Sequence, residues 1–547
     1  MKILILLKNY FLKYDNLFFT LLILILVSHA HSNRFIQDDA YISYRYAENF
    51  ANGIGLVFNQ GEHVEGYTNF LWTVIISLGI LFGATPESFS IFVGLFFLLI
   101  TLYIYKYISK FSIGDRLIEL CFLGALGFTY SFSAYATGGL ETSLLTLLVS
   151  ISILLAAKIL KDPNNSLKWF PMLGLIFASM ILTRPDSALI CSVVSLFLIF
   201  YTGLNHERRH VLFSVYGFLL LTLAFFVIIG PWLIWKINFY GTIFPNTAKA
   251  KIVGINPYVL FMGGEYLNNF IKIYWLGPLL VYGTIIYFAK LRSFSPAGHL
   301  GILIFFIQSF YIVLIGGDFM EFRFFIPFIP PLILFLFESA SLAEHKKVFS
   351  SVIALSIISA SFIFRNADRN GRIERFPTGI ETVHRLKTNL TRPETDWITV
   401  GKMLNRSFPD RNIKIASMPA GAIPYFSKLY SIDMLGLNDS NVDNREYFGV
   451  NPWGKPGHRF FAKFGYLRKQ GINLVIGNGA IRFTSLPIES DLRFFLPFIS
   501  DEEITSVDRS RIVKIPIDGD RSLIALYLND SPLIDAYIKE GKWILNR

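Results

Sequence analysis

The sequence predicts a polytopic α-helical membrane protein that carries a C-terminal α/β domain outside the membrane. Of its 547 residues, 53% are hydrophobic and only 16% are charged, whereas about 25% of residues are charged in soluble proteins. Apolar runs of about 15–25 residues recur through the first two-thirds of the chain, as transmembrane helices require. From about residue 365 onward the composition has the ordinary balance of a soluble domain.

Twelve apolar runs are candidates for transmembrane helices: 17–30, 69–84, 88–108, 116–136, 142–160, 169–183, 187–203, 210–236, 272–290, 300–316, 323–340 and 347–364. The basic loops between them lie near 106–116, 158–168, 206–210, 290–292 and 345–347. Lys and Arg concentrate in cytoplasmic loops, so these loops should share one side, and twelve crossings cannot achieve that.

The run 69–84 is the one we expect not to cross. It is short, it begins with Asn69 and Trp72, and Thr85-Pro86 follows it directly. Trp favours the headgroup level, so an interfacial helix fits this run. About eleven transmembrane helices remain, with the N-terminus inside and the C-terminus outside.

Several simpler classes of protein are excluded or disfavoured. The net charge of +11 fits basic cytoplasmic loops better than nucleic-acid binding. The two cysteines, Cys121 and Cys191, lie in apolar runs, which predicts inert thiols rather than a disulfide framework or a metal site. Ser28-His29-Ala30 loosely resembles a signal-peptidase site, but we expect the first helix to stay uncleaved, because it would tether the loop that follows.

Two domains are predicted, a transmembrane domain over 1–364 with its first external loop at 31–87, and an extracytoplasmic α/β domain over 365–547. Short β-like runs alternate there with turns and helix-like stretches, at 412–417, 472–477 and 522–528. The glycines at 477–480 lack the spacing of a dinucleotide-binding fingerprint.

The adjacent acids Asp38 and Asp39 stand directly after the first helix. Residues 40–51 read as an amphipathic helix with Gly53 as a plausible C-cap. An Asp at the N-cap contributes about 1 kcal/mol, which explains one of the two acids. The other could serve as a catalytic base, or the pair could hold a divalent cation.

Further polar residues collect in the stretches that the predicted topology places outside: 31–87, 137–141, 184–186, 237–271 and 316–323. They include Glu62, His63, Glu65, Glu141, Arg184, Asp186, Asn246, Lys249, Lys251, Asp318, Glu321 and Arg323. Solvated loop residues, an Arg184–Asp186 ion pair and an Asp318–Arg323 ion pair are the structural alternatives. Together, the acids and bases on one face indicate a site for a phosphate-bearing lipid beside a carboxylate base.

Five ordered stretches carry a resemblance to a known family: "DDAYISYRYAENFANGIGLVFNQGEHVEGYTNFLW", "GGLET", "LTRPD", "PNTAKAK" and "GGDFMEFRFFIP". In this order they resemble GT-C fold membrane glycosyltransferases of bacteria, and among them the mycobacterial terminal arabinofuranosyltransferase family. The resemblance covers roughly residues 15–365 and extends more weakly into 416–439.

The resemblance implies an enzyme that takes a sugar from a polyprenyl-phosphate donor at the outer face of the bacterial inner membrane. Asp38 or Asp39 would be the catalytic base, and direct displacement would invert the anomeric centre. Arg323, Arg184, Lys249 and Lys251 would hold the donor phosphate. The expected substrate pocket adds Tyr41, Arg45, Glu65, Tyr67, Glu141, Asp186, Asn246 and Asp318.

The resemblance names arabinofuranose as a candidate sugar and leaves the acceptor open among a cell-envelope glycan, lipid or protein. The sequence identifies no cofactor with certainty, and a divalent cation could take part at the paired acids. A transporter or flippase of a lipid-linked sugar is the alternative, but it would need polar residues inside several spans, and these spans are apolar through their centres. An anchor or receptor whose C-terminal domain binds the partner is the third hypothesis.

Overall fold

The computed structural model describes residues 15–203, 208–251, 254–443, 447–450, 454, 457–483 and 492–545. Seven of the described helices are long and apolar enough to cross a membrane, and a bent pair raises the number to eight. The helices Asn16–Ser32 and Pro185–Tyr201 are apolar but shorter. The chain is therefore a multi-pass membrane protein, and the number of eleven spans stays a prediction.

The helices alternate with short connections along most of the first 370 residues. The α-helices, numbered in chain order, are α1 (Asp15–Ser32), α2 (Asp38–Ala51), α3 (Phe70–Leu81), α4 (Pro86–Ser112), α5 (Arg116–Phe128), α6 (Tyr130–Tyr135), α7 (Thr142–Lys161), α8 (Trp169–Thr183), α9 (Ala188–Gly203), α10 (Arg208–Tyr240), α11 (Asn246–Lys251), α12 (Pro257–Ile273), α13 (Leu276–Ala289), α14 (Pro296–Ile315), α15 (Ile329–Ser341), α16 (Lys346–Arg369), α17 (Val383–Thr388), α18 (Trp397–Ser407), α19 (Ala422–Ser427), α20 (Phe464–Lys469), α21 (Asp501–Ser506) and α22 (Pro532–Lys539). The 3₁₀ turns are Pro163–Lys168, Pro185–Ser187, Leu291–Ser293, Arg323–Phe328, Ser440–Asp443, Leu492–Phe494 and Arg509–Arg511.

The chain divides into two compact units, each built from separate stretches of sequence. The first, here called the membrane unit, comprises the chain up to Phe35 together with Glu87–Ile234 and Val259–Glu374. The second, here called the mixed unit, comprises Ile36–Pro86, Trp235–Tyr258 and Arg375–Arg547. The first external loop therefore packs with the C-terminal residues, and the boundaries 1–364 and 365–547 stay a prediction.

Helices of the membrane unit approach one another closely at glycines. A Cβ atom added at Gly94 would lie 1.9 Å from the carbonyl oxygen of Ala136, and one at Gly174 would lie 2.2 Å from that of Leu221. Only a residue without a side chain allows such contacts, and small residues play this part at helix crossings in membranes.

Two predicted runs are interrupted in the structure. The run 116–136 forms α5 and α6, which are separated at Thr129 by an extended backbone conformation. The run 272–290 is divided between the end of α12 and α13. Trp275, between them, has a left-handed backbone (φ 53°), and the two helices are bent by 89°. The prediction that 237–271 is a polar connection was incomplete, because this stretch contains α11 and α12.

Helix α3 lies within the run that was expected not to cross. Its 12 residues extend about 18 Å, well short of the roughly 30 Å of a bilayer core. The expectation that this run does not span is consistent with this length. Its interfacial position stays a prediction.

The C-terminal part of the mixed unit is α/β, as predicted. Its strands are β1 (Lys414–Ser417), β2 (Tyr430–Asp433), β3 (Phe448–Val450), β4 (Phe460–Ala462), β5 (Leu474–Gly477), β6 (Ile481–Phe483), β7 (Ile512–Asp518), β8 (Arg521–Tyr527) and β9 (Ile544–Leu545). The main sheet has the order β2-β1-β5-β8-β7-β9, with β6 also paired to β8. β1 runs parallel to β2 and β5, whereas β8 runs antiparallel to β5, β6 and β7.

Both faces of the main sheet are buried. Successive strand residues alternate between two hydrophobic clusters: Ala416 and Val475 belong to one, while Ile415 and Leu474 belong to the other. Side chains alternate between the faces of a strand, so each cluster covers one face. This is why the strands read as short apolar runs rather than as an alternating pattern.

Candidate active site

Helix α2 begins at the two acids that the sequence singled out. Asp38 and Asp39 are its first two residues, while Gln37 is the N-cap and makes no capping hydrogen bond through its side chain. The prediction that one of these acids caps its own helix is therefore wrong, because the helix starts at residue 38 rather than at residue 40. Gly53 follows the helix with φ 76°, as a residue beyond a helix C-terminus often does.

Asp38 binds the backbone of a distant helix instead. The N–H groups of Gly421 and Ala422 donate to its Oδ2 and Oδ1 at 3.0 and 2.7 Å. These residues open α19, so Asp38 supplies the acceptor that the first turn of that helix needs. Burial raises the pKa of Asp38 to about 7 against the hydrogen bond from Ala422, and the charge of Asp39 raises it further.

Asp39 is half-buried beside it. Among the described residues, no group of three or more His, Cys, Asp or Glu side chains is arranged to hold a metal ion. Within the described ranges the acid pair is therefore not part of a three-residue metal-binding group, although the charge of Asp433 also raises the pKa of Asp38.

Arg45 lies farther along α2 and is also buried. Its guanidinium donates to the carbonyl oxygens of Phe58, Pro424 and Leu429 at 2.7, 2.5 and 2.8 Å. It also donates to Asn59 Oδ1 at 3.1 Å and lies over the Phe58 ring. Burial lowers the pKa of Arg45 to about 10, so it keeps its charge at neutral pH. Arg45 thus ties the first loop to the residues around α19.

The tyrosines predicted to line a substrate pocket pack against other aromatic rings. Tyr41 lies 5.3 Å from the ring of Tyr425 and 5.2 Å from that of Phe426. The Tyr67 hydroxyl is 3.1 Å from that of Tyr240, and both tyrosines belong to a small hydrophobic cluster. These contacts give Tyr41 and Tyr67 a packing role, and their part in a substrate pocket stays a prediction.

Glu65 forms an ion pair that the sequence analysis missed. Its Oε2 lies 2.8 Å from the Nζ of Lys236, and both residues are buried. Burial raises the pKa of Glu65 to about 7 even though the Lys236 ammonium lowers it. Lys236 could have indicated this ion pair in the sequence, because a charged side chain inside the apolar run 210–236 needs a partner.

The other polar residues of the first loop also have protein partners. Glu62 Oε1 accepts a hydrogen bond of 2.5 Å from the Tyr430 hydroxyl. The His63 ring stacks on Phe239, with centroids 4.3 Å apart. Glu62 is therefore held by a neighbour within the mixed unit, whereas His63 contacts Phe239 but stays exposed, as the alternative of a solvated loop residue predicted.

The stretch "PNTAKAK" is anchored through its asparagine. The Asn246 side-chain amide donates to the carbonyl oxygens of Gly436 and Asp439 at 3.0 and 2.6 Å. Lys249 is half-buried in α11, and the side chain of Lys251 lies outside the described residues. Asn246 therefore has a structural role, and phosphate binding by the two lysines stays a prediction.

A second cluster of predicted residues lies in the membrane unit, around Arg184. Its Nε and Nη2 donate to Asp186 Oδ1 and Oδ2 at 3.0 and 2.6 Å. Its Nη1 is 3.6 Å from Glu141 Oε1. The ion pair offered as a structural alternative is thus present, and Arg184 also brings the two predicted carboxylates together.

Arg323 and Asp318 lie in the same cluster. Arg323 Nε is 3.5 Å from Asp318 Oδ2, an ion-pair distance but longer than a hydrogen bond of good geometry. The guanidinium groups of Arg184 and Arg323 lie 4.7 and 5.6 Å from the centre of the Phe324 ring. Glu321 is fully buried and accepts a hydrogen bond of 2.5 Å from Ser131.

A small cavity, partly open to solvent, lies beside Arg184 and Asp186. Most of its wall is apolar: Leu145, Ile190, Ile312, Phe324, Pro327 and Phe328. Two further lining residues, Ser187 and Gln308, bring a hydroxyl oxygen and an amide nitrogen that are buried without a hydrogen-bond partner among the described residues. A buried polar group without a partner costs about 1–3 kcal/mol, so this cavity suits a ligand with a polar head and an apolar chain.

The structure therefore separates the predicted site residues into two sets. Glu141, Arg184, Asp186, Asp318 and Arg323 converge in the membrane unit. Asp38, Asp39, Tyr41, Arg45, Glu65, Tyr67, Asn246 and Lys249 belong to the mixed unit. Ser187 and Gln308 were missed, because a single Ser or Gln at the end or in the middle of an apolar run gives no signal in one sequence.

Comparison with solved structures identifies the class of fold. The chain matches two crystal structures of ArnT from Cupriavidus metallidurans, one bound to undecaprenyl phosphate and one in the apo state, with TM-scores of 0.51 and 0.52. Each match covers 94% of this chain and 98% of the ArnT chain at 14% identity. The protein therefore has the GT-C fold of ArnT, as predicted, together with a sheet-containing C-terminal region.

Two proteins that are similar in sequence have names that state an activity. The chain is 27% identical over 328 residues to the terminal β-(1→2)-arabinofuranosyltransferase of Corynebacterium glutamicum, covering 53% of this chain and 46% of that protein. It is 26% identical over 259 residues to the enzyme of the same name from Mycobacterium tuberculosis, covering 45% of this chain and 39% of that one. The chain thus spans less than half the length of these relatives. Residues 385–497 match a domain of unknown function, DUF8728.

Proposed function

We propose that this protein is a membrane glycosyltransferase that moves a sugar from a polyprenyl-phosphate donor to a hydroxyl group of a cell-envelope glycan, lipid or protein. The main support for this proposal is the cavity beside Arg184. Its lining combines an ion pair, an apolar wall and two polar groups that have no hydrogen-bond partner among the described residues. The undecaprenyl phosphate bound to ArnT and the activity in the names of the sequence relatives support the same chemistry. The reaction takes place at the outer face of the bacterial inner membrane.

Arg184 and Arg323 hold the donor phosphate in this proposal. A guanidinium binds phosphate oxygens with two parallel N–H donors, and both arginines already lie against Phe324. A phosphate would exchange with the carboxylates that these arginines contact now. Ser187 and Gln308 offer further hydrogen bonds, and the apolar wall receives the first isoprene units. Lys249 and Lys251 are further candidates for the phosphate.

Asp39 is the catalytic base in this proposal, in preference to Asp38. Both oxygens of Asp38 accept backbone hydrogen bonds, so that carboxylate is occupied in holding α19. Asp39 removes the proton of the acceptor hydroxyl, and the resulting oxygen attacks the anomeric carbon as the bond to the polyprenyl phosphate breaks. A single displacement inverts the anomeric centre.

The names of the relatives favour arabinofuranose as the sugar. The test is mass spectrometry of surface glycans from a deletion strain complemented with variants. Deletion should remove one type of sugar residue, wild type should restore it, and Asp39→Asn should leave less than about 1% of it, since a general base contributes roughly 10²–10⁴-fold.

Asp501→Asn is the matched control, because Asp501 is exposed in the mixed unit, and it should restore the glycan fully. Unchanged glycans in the deletion strain would refute the proposed function. Full restoration by Asp39→Asn would refute only the assignment of the base.

A further inference from the structure

Four arginines gather at one end of the membrane unit, where α1 and α16 finish. Arg34 follows α1 by two residues, Arg365 and Arg369 lie in the last turns of α16, and Arg372 follows that helix. We propose that this group, the terminal arginine cluster, binds the phosphate of an anionic phospholipid in the adjoining membrane leaflet. The inference does not depend on the proposed function.

Two of these guanidinium groups converge on one uncharged oxygen. Arg365 Nε and Arg369 Nη2 both donate to Asn33 Oδ1 at 2.8 Å. Arg369 Nη2 also donates to the carbonyl oxygen of Ser32 at 2.7 Å. Like charges four residues apart on a helix repel each other. The amide and carbonyl oxygens orient the two cations without neutralising them.

Within the part of the chain that the structure describes, no ion pair within 4.0 Å involves Arg365 or Arg369. The adjacent acid, Asp368, is fully buried and accepts a hydrogen bond of 2.7 Å from the Tyr130 hydroxyl. An anion from outside the protein would therefore find two oriented guanidinium groups that form no close ion pair with the described residues.

The position of the cluster selects a lipid as the source of that anion. Phe362 and Ile363, one turn before the arginines on α16, are 37% and 59% exposed, as expected of side chains that face acyl chains. The 24 residues of α16 extend about 36 Å, so its two ends reach the two headgroup regions. Long basic side chains at a helix end bind anionic headgroups at this depth.

The test uses the full-length protein in nanodiscs of phosphatidylcholine with increasing phosphatidylglycerol, and native mass spectrometry measures the lipid that stays bound. Arg365→Gln/Arg369→Gln should weaken phosphatidylglycerol retention about 25-fold, or about fivefold for each charge removed. Retention of phosphatidylcholine should not change. The control Arg468→Gln/Arg509→Gln removes two exposed charges from the mixed unit and should leave both lipids unaffected.

Two further double variants test the proposal if Arg365→Gln/Arg369→Gln folds poorly. Arg365→Lys/Arg369→Lys keeps the charge and should retain more phosphatidylglycerol than the Gln pair. Arg34→Gln/Arg372→Gln changes only exposed residues and should weaken retention severalfold. Equal retention by wild type and the Gln variants would overturn the proposal. Displacement of the lipid by millimolar inorganic phosphate would also overturn it, because the cluster would then be a site for free phosphate.

Discussion

Two aspartates, one in each compact unit, have different kinds of partner. In the membrane unit, Asp186 binds the guanidinium of Arg184 beside a cavity. In the mixed unit, Asp38 accepts hydrogen bonds from the backbone of Gly421 and Ala422. A guanidinium can exchange a carboxylate for a phosphate, whereas a backbone N–H group released from its acceptor stays unsatisfied or unwinds its helix. The first arrangement suits ligand binding, and the second fixes the chain.

We expect the largest effect from removing Arg45, which ties the first loop to the residues around α19 in the mixed unit. Arg45→Ala should lower the free energy of unfolding by about 3–5 kcal/mol, as loss of one partner from a buried charged network does. Three carbonyl oxygens and Asn59 would lose their donor. Denaturant unfolding of the full-length protein, read through hydrogen exchange of residues 416–433, measures the effect.

The matched control for Arg45 is Arg468→Ala, which truncates an exposed side chain of the same unit and should change stability by less than about 0.5 kcal/mol. Arg45→Lys should lie between the two, since it keeps the charge but loses the planar set of donors. If Arg45→Ala matched the control, the first loop would not depend on this residue.

The corresponding change in the membrane unit should affect ligand binding more than stability. Arg184→Ala should weaken binding of undecaprenyl phosphate about 10–100-fold, because hydrogen bonds to charged groups contribute about 1.5–3 kcal/mol. Asp186→Asn should bind at least as tightly as wild type, since it removes a competing negative charge. Equilibrium binding to the purified full-length protein distinguishes the two variants.

Arg292→Ala is the control for the phosphate prediction, because Arg292 is exposed in a 3₁₀ turn of the same unit. It should leave the affinity unchanged. Arg184 would lose its assigned role if its variant behaved like this control.

The smallest expected effect is a pH dependence in the mixed unit. The folded state raises the pKa of Asp38 and of Glu65 to about 7, and that of Asp433 to about 6. The folded state therefore binds more protons than the unfolded state between about pH 4 and pH 7, so stability should fall as pH rises through this window.

Hydrogen exchange of residues 416–433, corrected for intrinsic rates, should show more protection at about pH 5 than at about pH 8. Asp38→Asn should reduce the difference at 421–425, where Asp38 binds the backbone. Protection that increased with pH would contradict the sign of the effect, and an unchanged difference in Asp38→Asn would assign it to other groups.

Much of the architecture could be predicted from local patterns. Apolar runs gave the positions of most helices, including the short α3, and the β-like runs 412–417, 472–477 and 522–528 correspond to β1, β5 and β8. The break at Trp275 could not be predicted, because a left-handed tryptophan is set by its surroundings rather than by its propensity.

The candidate site could be predicted only in part from the sequence. Arg184 and Asp186 are near in sequence, so their pairing could be anticipated, whereas the approach of Glu141 to Arg184 depends on how α7 packs against α8. Lys236 could have been recognised as a charge in an apolar run. The two unsatisfied groups, Ser187 and Gln308, become visible only once a cavity surrounds them.

The sequence by itself determined the class of this protein, because hydropathy over about 20 residues decides whether a helix can lie in a bilayer. It also marked Asp38 and Asp39 as one acid more than a helix cap requires. Only the tertiary structure decided what Asp38 does, because its partners at 421 and 422 lie more than 380 residues away. A hydrogen bond over such a separation depends on the folded packing of the unit and leaves no local pattern in the chain.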